Sequence, residues 1–344
     1  MSVDLKPYRE AVEAEMQRAV APPPSSSDID LGPLYGMMQY HLGWLDKDFA
    51  ATAANGGKRI RPVLCLLACE ACDGDWRSAL PAAAAIELVH NFSLVHDDIQ
   101  DESSHRRHRR TVWSLWGIAQ GINTGDTMWT LARRALLRLA ETGHGAETVL
   151  QAVDLLDRAC LSLCTGQYLD LSFEGESTVS VAAYLEMIAG KTAALLSASL
   201  AIGALLGGGN VNEYAALGHD LGLTFQIVDD ILGVWGDPAV TGKSAASDIL
   251  SGKKTLPILY AISWEAAHGR DDVRRILARA PLHMGDVPTV LELLDRCGAK
   301  AYAQEQARLY YERTVRRVLA PGAEQPRALV AIHELAASLV ERTS

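Results

Sequence analysis

Two aspartate-rich segments, Asp97-Asp98-Ile99-Gln100-Asp101 and Asp229-Asp230-Ile231-Leu232-Gly233-Val234-Trp235-Gly236-Asp237, constrain this chain more than any other feature. Each closes a mainly apolar run, Leu88 to Val95 and Leu221 to Val228. The run has to be buried and its acidic end has to stay out of the core, because an uncompensated buried carboxylate is costly. A fold that meets both demands presents its acidic ends to something cationic.

At about 100° per residue, Asp97 and Asp101 share one helical face, one turn apart, while Asp98 points to the side. Both segments fall toward the C-terminal ends of predicted helices, where the helix dipole disfavours negative charge. A bound cation accounts for that placement better than stability does. Oxygen ligands with no His or Cys partner in the motif favour Mg²⁺, which keeps waters and completes its shell with substrate phosphates. A solvated acidic helix end is the plain alternative for one such motif; two copies on apolar helices argue against it.

Apolar residues recur at three- and four-residue spacing, and no alternating strand pattern of useful length separates the turn signals. The expected fold class is all-α, with helices near 4 to 20, 32 to 46, 58 to 72, 78 to 101, 112 to 141, 146 to 174, 180 to 206, 211 to 235, 254 to 267, 286 to 318 and 325 to 341. With 344 residues, 49% hydrophobic and only 6% aromatic content, an Ala- and Leu-rich chain favours helix. One domain over 1–344 is expected, with 1–27 as an N-terminal helix and Pro/Ser linker.

The net charge of -10 argues against nonspecific nucleic-acid binding but leaves room for a local basic pocket. No run of about 20 apolar residues is evident, and the first residues lack a signal-peptide core. A cytoplasmic protein without a transmembrane segment is expected. Cys69 and Cys72 form a CxxC, yet with Cys65 they share helical spacing in an apolar run. They read as buried thiols, not as a metal site or a disulfide framework.

Two basic clusters complete the pattern. Asn55-Gly56-Gly57-Lys58-Arg59-Ile60-Arg61-Pro62 gathers three cations beside two glycines at the start of a predicted helix. Glycines permit close backbone approach, and helix N-terminal amides with Lys and Arg hold anions without a metal. His105-Arg106-Arg107-His108-Arg109-Arg110 follows the first acidic motif; phosphate binding is the reading that uses both signs of charge.

Together these segments resemble the trans-isoprenyl diphosphate synthase (polyprenyl synthetase) family. The resemblance runs in order through GGKRIRP at 56–62, ELVHNFSLVHDDIQD at 87–101, RRHRRTVW at 106–113, GKT at 190–192, FQIVDDILGVWGD at 225–237, TGK at 241–243 and SGKKTLP at 251–257. It implies an antiparallel helix bundle around a deep cavity, with the acidic motifs facing across its mouth. It further implies that Asp97 and Asp101 bind two Mg²⁺ ions and Asp229 a third, that Asp230 supports that site, and that Asp98 belongs to the catalytic set. An allylic diphosphate would lie against the ions with Arg106, Lys191 and Lys243, and Lys253 as a further candidate. Lys58, Arg61, His90 and Arg107 would hold isopentenyl diphosphate. Thr192 and Gln226 match positions near the reacting carbons, and His96 is expected to pack or support.

The resemblance also implies a homodimer and a short-chain product. In the family the two residues four and five positions before the first motif form the cavity floor; here they are Ser93 and Phe92. A helix rise places Phe92 about 7.5 Å below Asp97. One bulky residue beside a small one resembles members that make geranylgeranyl diphosphate, with farnesyl diphosphate next. Gly233 departs from the pattern at the third acidic position, and Asp237, two turns beyond Asp229, is expected to compensate. A class I terpene cyclase needs no second diphosphate site, and a noncatalytic partner subunit would tolerate loss of the first motif; Lys58, Arg61, His90 and Arg107, with an intact DDIQD, argue against both.

Overall fold

The computed structural model describes residues 3–23, 29–52, 54, 56–176, 178–237, 246–279, 282–318 and 326–340, without the side chains of 317, 318, 339 and 340. Lys243 lies outside the described residues. The helices are α1 Lys6–Ala19, α2 Gly32–His41, α3 Ile60–Ala71, α4 Leu80–Gln100, α5 Val112–Trp116, α6 Ile118–Leu137, α7 Ala146–Gly175, α8 Val181–Ile188, α9 Ala194–Gly207, α10 Val211–Trp235, α11 Ser247–Ser251, α12 Leu256–Ala267, α13 Asp272–Leu277, α14 Val287–Arg296, α15 Ala299–Val318 and α16 Arg327–Val340. Among the described residues the only sheet is a hairpin of β1 His105–Arg106 and β2 Arg109–Arg110. The fold is all-α.

Where the helices depart from the expected ones, a backbone cause is visible. The expected helix at 112 to 141 is broken by Gly117 at φ 88°, and that at 286 to 318 by Gly298 at φ 70°, conformations that glycine adopts without strain. The chain leaves α2 five residues early through Gly43 at φ 88°. Between α8 and α9 the residues Ala189–Ala193 form one π-turn, a feature frequent at functional sites.

The chain divides into two compact units. The first takes its residues from Met1–Asp157 and Ser199–Val211, the second from Arg158–Ala198 and Asn212–Ser344. In the first, α4 packs chiefly on α6, and also on α3 and α1. Its N-terminal half, Pro81 to Val89, is wholly buried. Small residues set the closest approaches: a Cβ on Gly121 would overlap Ile99, and one on Gly203 would fall 2.7 Å from Ala68 Cβ and 3.0 Å from the Cys65 carbonyl carbon. Cys65 and Cys69 are buried free thiols, and burial pushes the Cys69 thiol up to about 12.

The second unit holds two cores. One gathers Tyr184, Met187, Ile188, Leu223, Ile227, Val228, Ile231 and Leu259 under the second acidic motif. The other packs α10's end against α11, α12, α14 and the start of α15. Two stretches, Trp76–Gln100 and Val181–Gly207, are long and apolar enough to cross a membrane by composition, yet 78% and 67% of their apolar windows are buried inside the protein. They are core helices.

Because Gly203 has no room for a side chain, Gly203→Val is expected to destabilise the fold by about 1–3 kcal/mol through overpacking. A urea unfolding curve with lowered midpoint and unchanged slope is the expected result.

Candidate active site

In the first unit the glycine- and arginine-rich segment at 56–62 is built around a buried guanidinium. Arg59 sits at the N-terminus of α3 in the left-handed region at φ 52°. It is buried and donates through Nε to Glu13 Oε2 at 3.1 Å and through Nη1 to Glu87 Oε1 at 2.9 Å. Its Nη1 also donates to the Gly56 carbonyl at 2.9 Å. The same carbonyl accepts a 2.6 Å bond from Arg107 Nη1. A Cβ on Gly57, at φ 107°, would lie 2.8 Å from Arg107 Nη2. Both glycines are therefore there to let guanidiniums lie against the backbone.

Arg61, at the start of α3, donates to His90 Nε2 at 3.3 Å, so the imidazole is in the tautomer that accepts there. His90 lies well below the usual histidine range, through burial first and then the charges of Arg61, Arg107 and Arg106. Burial likewise lowers Arg61 and Arg107, and Glu87 opposes the shift in both. One buried carboxylate on α4 is thus counter-charge to three guanidiniums. Arg61 Nε and His41 Nε2 are buried with no hydrogen-bond partner. Such orphaned polar atoms around a surplus of positive charge fit an anionic oxygen ligand.

His41 was not legible as a site residue. It ends α2 and lines a polar pocket with Tyr40, Asp98, Arg106 and Arg107. Burial, then Arg106, Arg107 and Arg59, push it down to about 3.

The basic cluster at 105–110 is a hairpin and not an open loop. Its turn residues Arg107 and His108 both have positive φ, 50° and 62°, the backbone of a type I′ turn, made without the usual Asn-Gly. Strain of this kind concentrates at functional sites. Arg109 anchors the hairpin, donating to the Tyr40 and Leu45 carbonyls at 3.0 and 2.7 Å and stacking on the Tyr40 ring. Arg106 and Arg107 are thereby held over the pocket.

At the end of α4 the three aspartates divide as the helical period requires. Asp97 is half-buried and Asp101 exposed. Asp98 is buried, accepts from Arg106 Nε at 2.8 Å and is raised to about 6 by burial, with Arg106 opposing. Asp98 thus positions Arg106, and Asp97 and Asp101 remain as an oxygen-only pair fit for a hard cation. Among the described residues no three His, Cys, Asp or Glu side chains form a metal cage. His96 packs edge-on against Phe92 and occupies the space above Gly125; Phe92 is 9% exposed and Ser93 is buried, donating to the His90 carbonyl at 2.8 Å.

The second unit gathers the remaining candidates. Lys191 and Thr192 stand on the π-turn. Lys191 Nζ donates to Asp170 Oδ2 at 2.5 Å. Gly166 permits this: a Cβ there would fall 2.8 Å from Lys191 Cα. Thr192 Oγ1 donates to Gln226 Oε1 at 2.7 Å, and Gln226 Nε2 to Asp230 Oδ1 at 3.1 Å. Asp230 is buried, accepts also from the Tyr184 hydroxyl and from Leu256 N at 3.0 Å, and is raised to about 6 by burial against those bonds. Asp229 is half-buried beside it. The Lys253 side chain is exposed along its stem, while its ammonium end is partly desolvated, and Asp248, Asp170, Asp230 and Asp229 outweigh that desolvation and hold it above the usual lysine value. Asp170 and Tyr184 were missed from sequence; the Gly166-Gln167-Tyr168-Leu169-Asp170 run on α7 was the available signal. Asp237 lies beyond the end of α10 at Trp235, so it does not continue the helical face that was expected to make it a substitute for position 233.

The model of the Polyprenyl synthetase family matches residues 43–294. The chain belongs to the polyprenyl synthetase family. It is 40% identical over 316 residues to the (2E,6E)-farnesyl diphosphate synthase of Mycobacterium tuberculosis, covering 89% of this chain and 85% of that one. It is 42% identical over 279 residues to the geranylgeranyl diphosphate synthase of the same organism, with 80% and 78% covered. The solved polyprenyl synthetase from Streptomyces coelicolor A3(2) superposes with a TM-score of 0.86 at 33% identity, over 97% of this chain and 98% of that one. A geranylgeranyl pyrophosphate synthetase from Pyrococcus horikoshii gives 0.84 at 32% identity, with 98% and 97% covered. This polyprenyl synthetase is accordingly a trans-prenyltransferase with the all-α isoprenoid synthase fold, of a family that uses isoprenyl diphosphates and depends on Mg²⁺.

Since His41 has a lower pKa folded than unfolded, the folded protein binds fewer protons between about 6.5 and 3. Its contribution to stability is intact above about 6.5 and is lost as pH falls, at up to about 1.4 kcal/mol per pH unit. Chemical denaturation between pH 7 and 4 should show a shallower acid loss in His41→Gln than in the wild type.

Proposed function

We propose that this prenyltransferase condenses isopentenyl diphosphate with an allylic diphosphate (dimethylallyl, geranyl or farnesyl) by ionisation, 1′-4 coupling and deprotonation, giving geranylgeranyl diphosphate ahead of farnesyl diphosphate. The observation that carries the reading is the coexistence in one unit of two unlike charged groups: the carboxylates Asp97 and Asp101 at the end of α4, and the cluster of Arg61, His90 and Arg107.

The two groups suit the two substrates. When bound, Mg²⁺, three ions with Asp97, Asp101 and Asp229 as protein ligands, supplies the charge withdrawal that lets the allylic carbon-oxygen bond ionise. Arg106, Lys191, Lys243 and Lys253 balance the diphosphate that leaves. Lys58, Arg61, His90 and Arg107 grip the one that must stay attached, using hydrogen bonds and charge alone. Asp98 holds Arg106 in place; Asp230 holds Gln226, which holds Thr192. The Thr192 and Gln226 oxygens would stabilise the carbocation with their lone pairs. The released diphosphate takes the proton, so no enzyme nucleophile is required.

Phe92 is the proposed floor, with Ser93 beside it. A terpene cyclase would leave the Arg61-His90-Arg107 cluster without a ligand. Ile118, Ile122 and Trp129 are 55%, 44% and 40% exposed on one face of α6, apolar area of the kind that supports the proposed homodimer. A cytoplasmic location accords with this reading.

Incubation with isopentenyl diphosphate, each allylic primer and Mg²⁺, followed by mass analysis of the dephosphorylated products, tests the proposal. A C20 alcohol as main product is expected; no elongation from any primer would refute it. Asp97→Ala is expected to lower turnover by about a hundredfold or more. In the same assay Phe92→Ala should lengthen the product, and an unchanged chain length would remove Phe92 from the floor.

A further inference from the structure

Just after α2 the chain makes a tight turn with a residue that such turns avoid. Asp46 N donates to the Ala50 carbonyl at 2.8 Å and Phe49 N to the Asp46 carbonyl at 3.1 Å, while the Asp46 carboxylate accepts from the amides of Asp48 and Ala50 at 2.9 Å each. Lys47-Asp48-Phe49 is thus a closed loop next to the antiparallel pair Leu45 and Ala51. Loops of this kind put their last residue in the left-handed region, where glycine is usual. Here that residue is Phe49, at φ 62°. For a bulky side chain such a backbone is an outlier, and it points to a role for the side chain.

The Phe49 ring has well-defined neighbours. It stacks on Trp116 of α5, with ring centroids 5.5 Å apart and an interplanar angle of 15°. It also lies against α2 where Gly36 leaves room: a Cβ there would fall 2.7 Å from Phe49 Cδ1. Trp116 meets the Tyr40 ring edge-on at 5.0 Å. Tyr40 carries the Arg109 guanidinium on its face at 4.0 Å, and the Tyr40 and Leu45 carbonyls accept from that guanidinium at 3.0 and 2.7 Å. Two routes therefore lead from Phe49 to Arg109, one through the aromatic rings and one through the turn backbone to Leu45. Arg109 pairs across the hairpin with Arg106, which reaches Asp98, and the turn between them carries Arg107, which reaches the Gly56 carbonyl.

We propose that Phe49 is a positioning residue for the two hairpin arginines. Clamped between Gly36 and Trp116, it sets the Leu45 carbonyl and the Tyr40 ring that hold Arg109, and so fixes Arg106 and Arg107. The consequence for substrate rests on the reading above, in which Arg107 grips isopentenyl diphosphate: a loosened hairpin binds that diphosphate less tightly. The strained backbone at 49 is kept because glycine, which would relieve it, has no ring to stack.

Phe49→Gly separates the ring from the turn, since glycine takes the observed φ without strain. Hydrogen exchange of peptides spanning the hairpin and its flanks, 104–111, thermal melts and calorimetric titration with isopentenyl diphosphate in Mg²⁺ buffer compare wild type, Phe49→Gly, Phe49→Tyr, Arg109→Ala and the double Phe49→Gly/Arg109→Ala. Phe49→Gly should quicken exchange in the hairpin and weaken isopentenyl diphosphate binding by about tenfold each. Its melting temperature should stay within about 3 °C of wild type. Phe49→Tyr, which keeps the stack, should remain within about threefold of wild type in both readouts. Arg109→Ala should reproduce both losses, and adding Phe49→Gly to it should cost less than about twofold more, because the ring acts through that guanidinium. A ring that only stabilises the fold would instead lower the melting temperature and give losses that add.

Unchanged hairpin exchange in Phe49→Gly, unchanged diphosphate affinity in that variant, or additive losses in the double would each overturn the proposal. Wild type that binds no isopentenyl diphosphate, with hairpin exchange still quickened in Phe49→Gly, would refute the substrate reading and support the brace. Should Arg109→Ala fail to fold, Arg109→Lys, which keeps the charge but loses the planar fork, carries the comparison.

Discussion

The organisation of the first unit depends on one buried carboxylate. Glu87 stands on the wholly buried half of α4 and faces Arg59, Arg61 and Arg107. Glu13 on α1 shares the load at Arg59. Without them, three guanidiniums and two neutral histidines would face one another in a largely dehydrated space, at a cost of several kcal/mol per uncompensated charge. With them the cluster folds but stays short of negative charge. Such a deficit favours an anionic oxygen ligand.

Asp98 and Asp230 play the corresponding part on the acidic side. Each is the second of a paired aspartate, each is buried, and each is spent on protein partners: Arg106 for the first; Tyr184, Gln226 and the Leu256 amide for the second. Their neighbours Asp97 and Asp229 retain surface exposure. Doubling the aspartate thus places a buried carboxylate that holds the local structure next to a more exposed one.

Much of this was legible because helical period is a local property. The facing of Asp97 and Asp101, the sideways turn of Asp98 and nearly every helix follow from spacing alone. The parts that were not legible arise from backbone choices without their usual residue markers or from contacts distant in sequence. The Arg107-His108 turn has no glycine or asparagine to announce it. The π-turn at Ala189–Ala193 reads as continuous helix until Gly166 and Gly190 are seen pressed together. Lys191 meets Asp170, and Gly233 meets Asp248, only after folding. The helical-face argument for Asp237 failed because α10 stops first.

The central claim is that the cluster of Arg61, His90 and Arg107 binds a diphosphate without a metal. Titration calorimetry of isopentenyl diphosphate into the protein in EDTA, with no allylic substrate present, addresses it most directly. Saturable binding that persists in Asp97→Ala and is lost in Arg107→Ala is the predicted result. Binding that appears only when Mg²⁺ is added would contradict it.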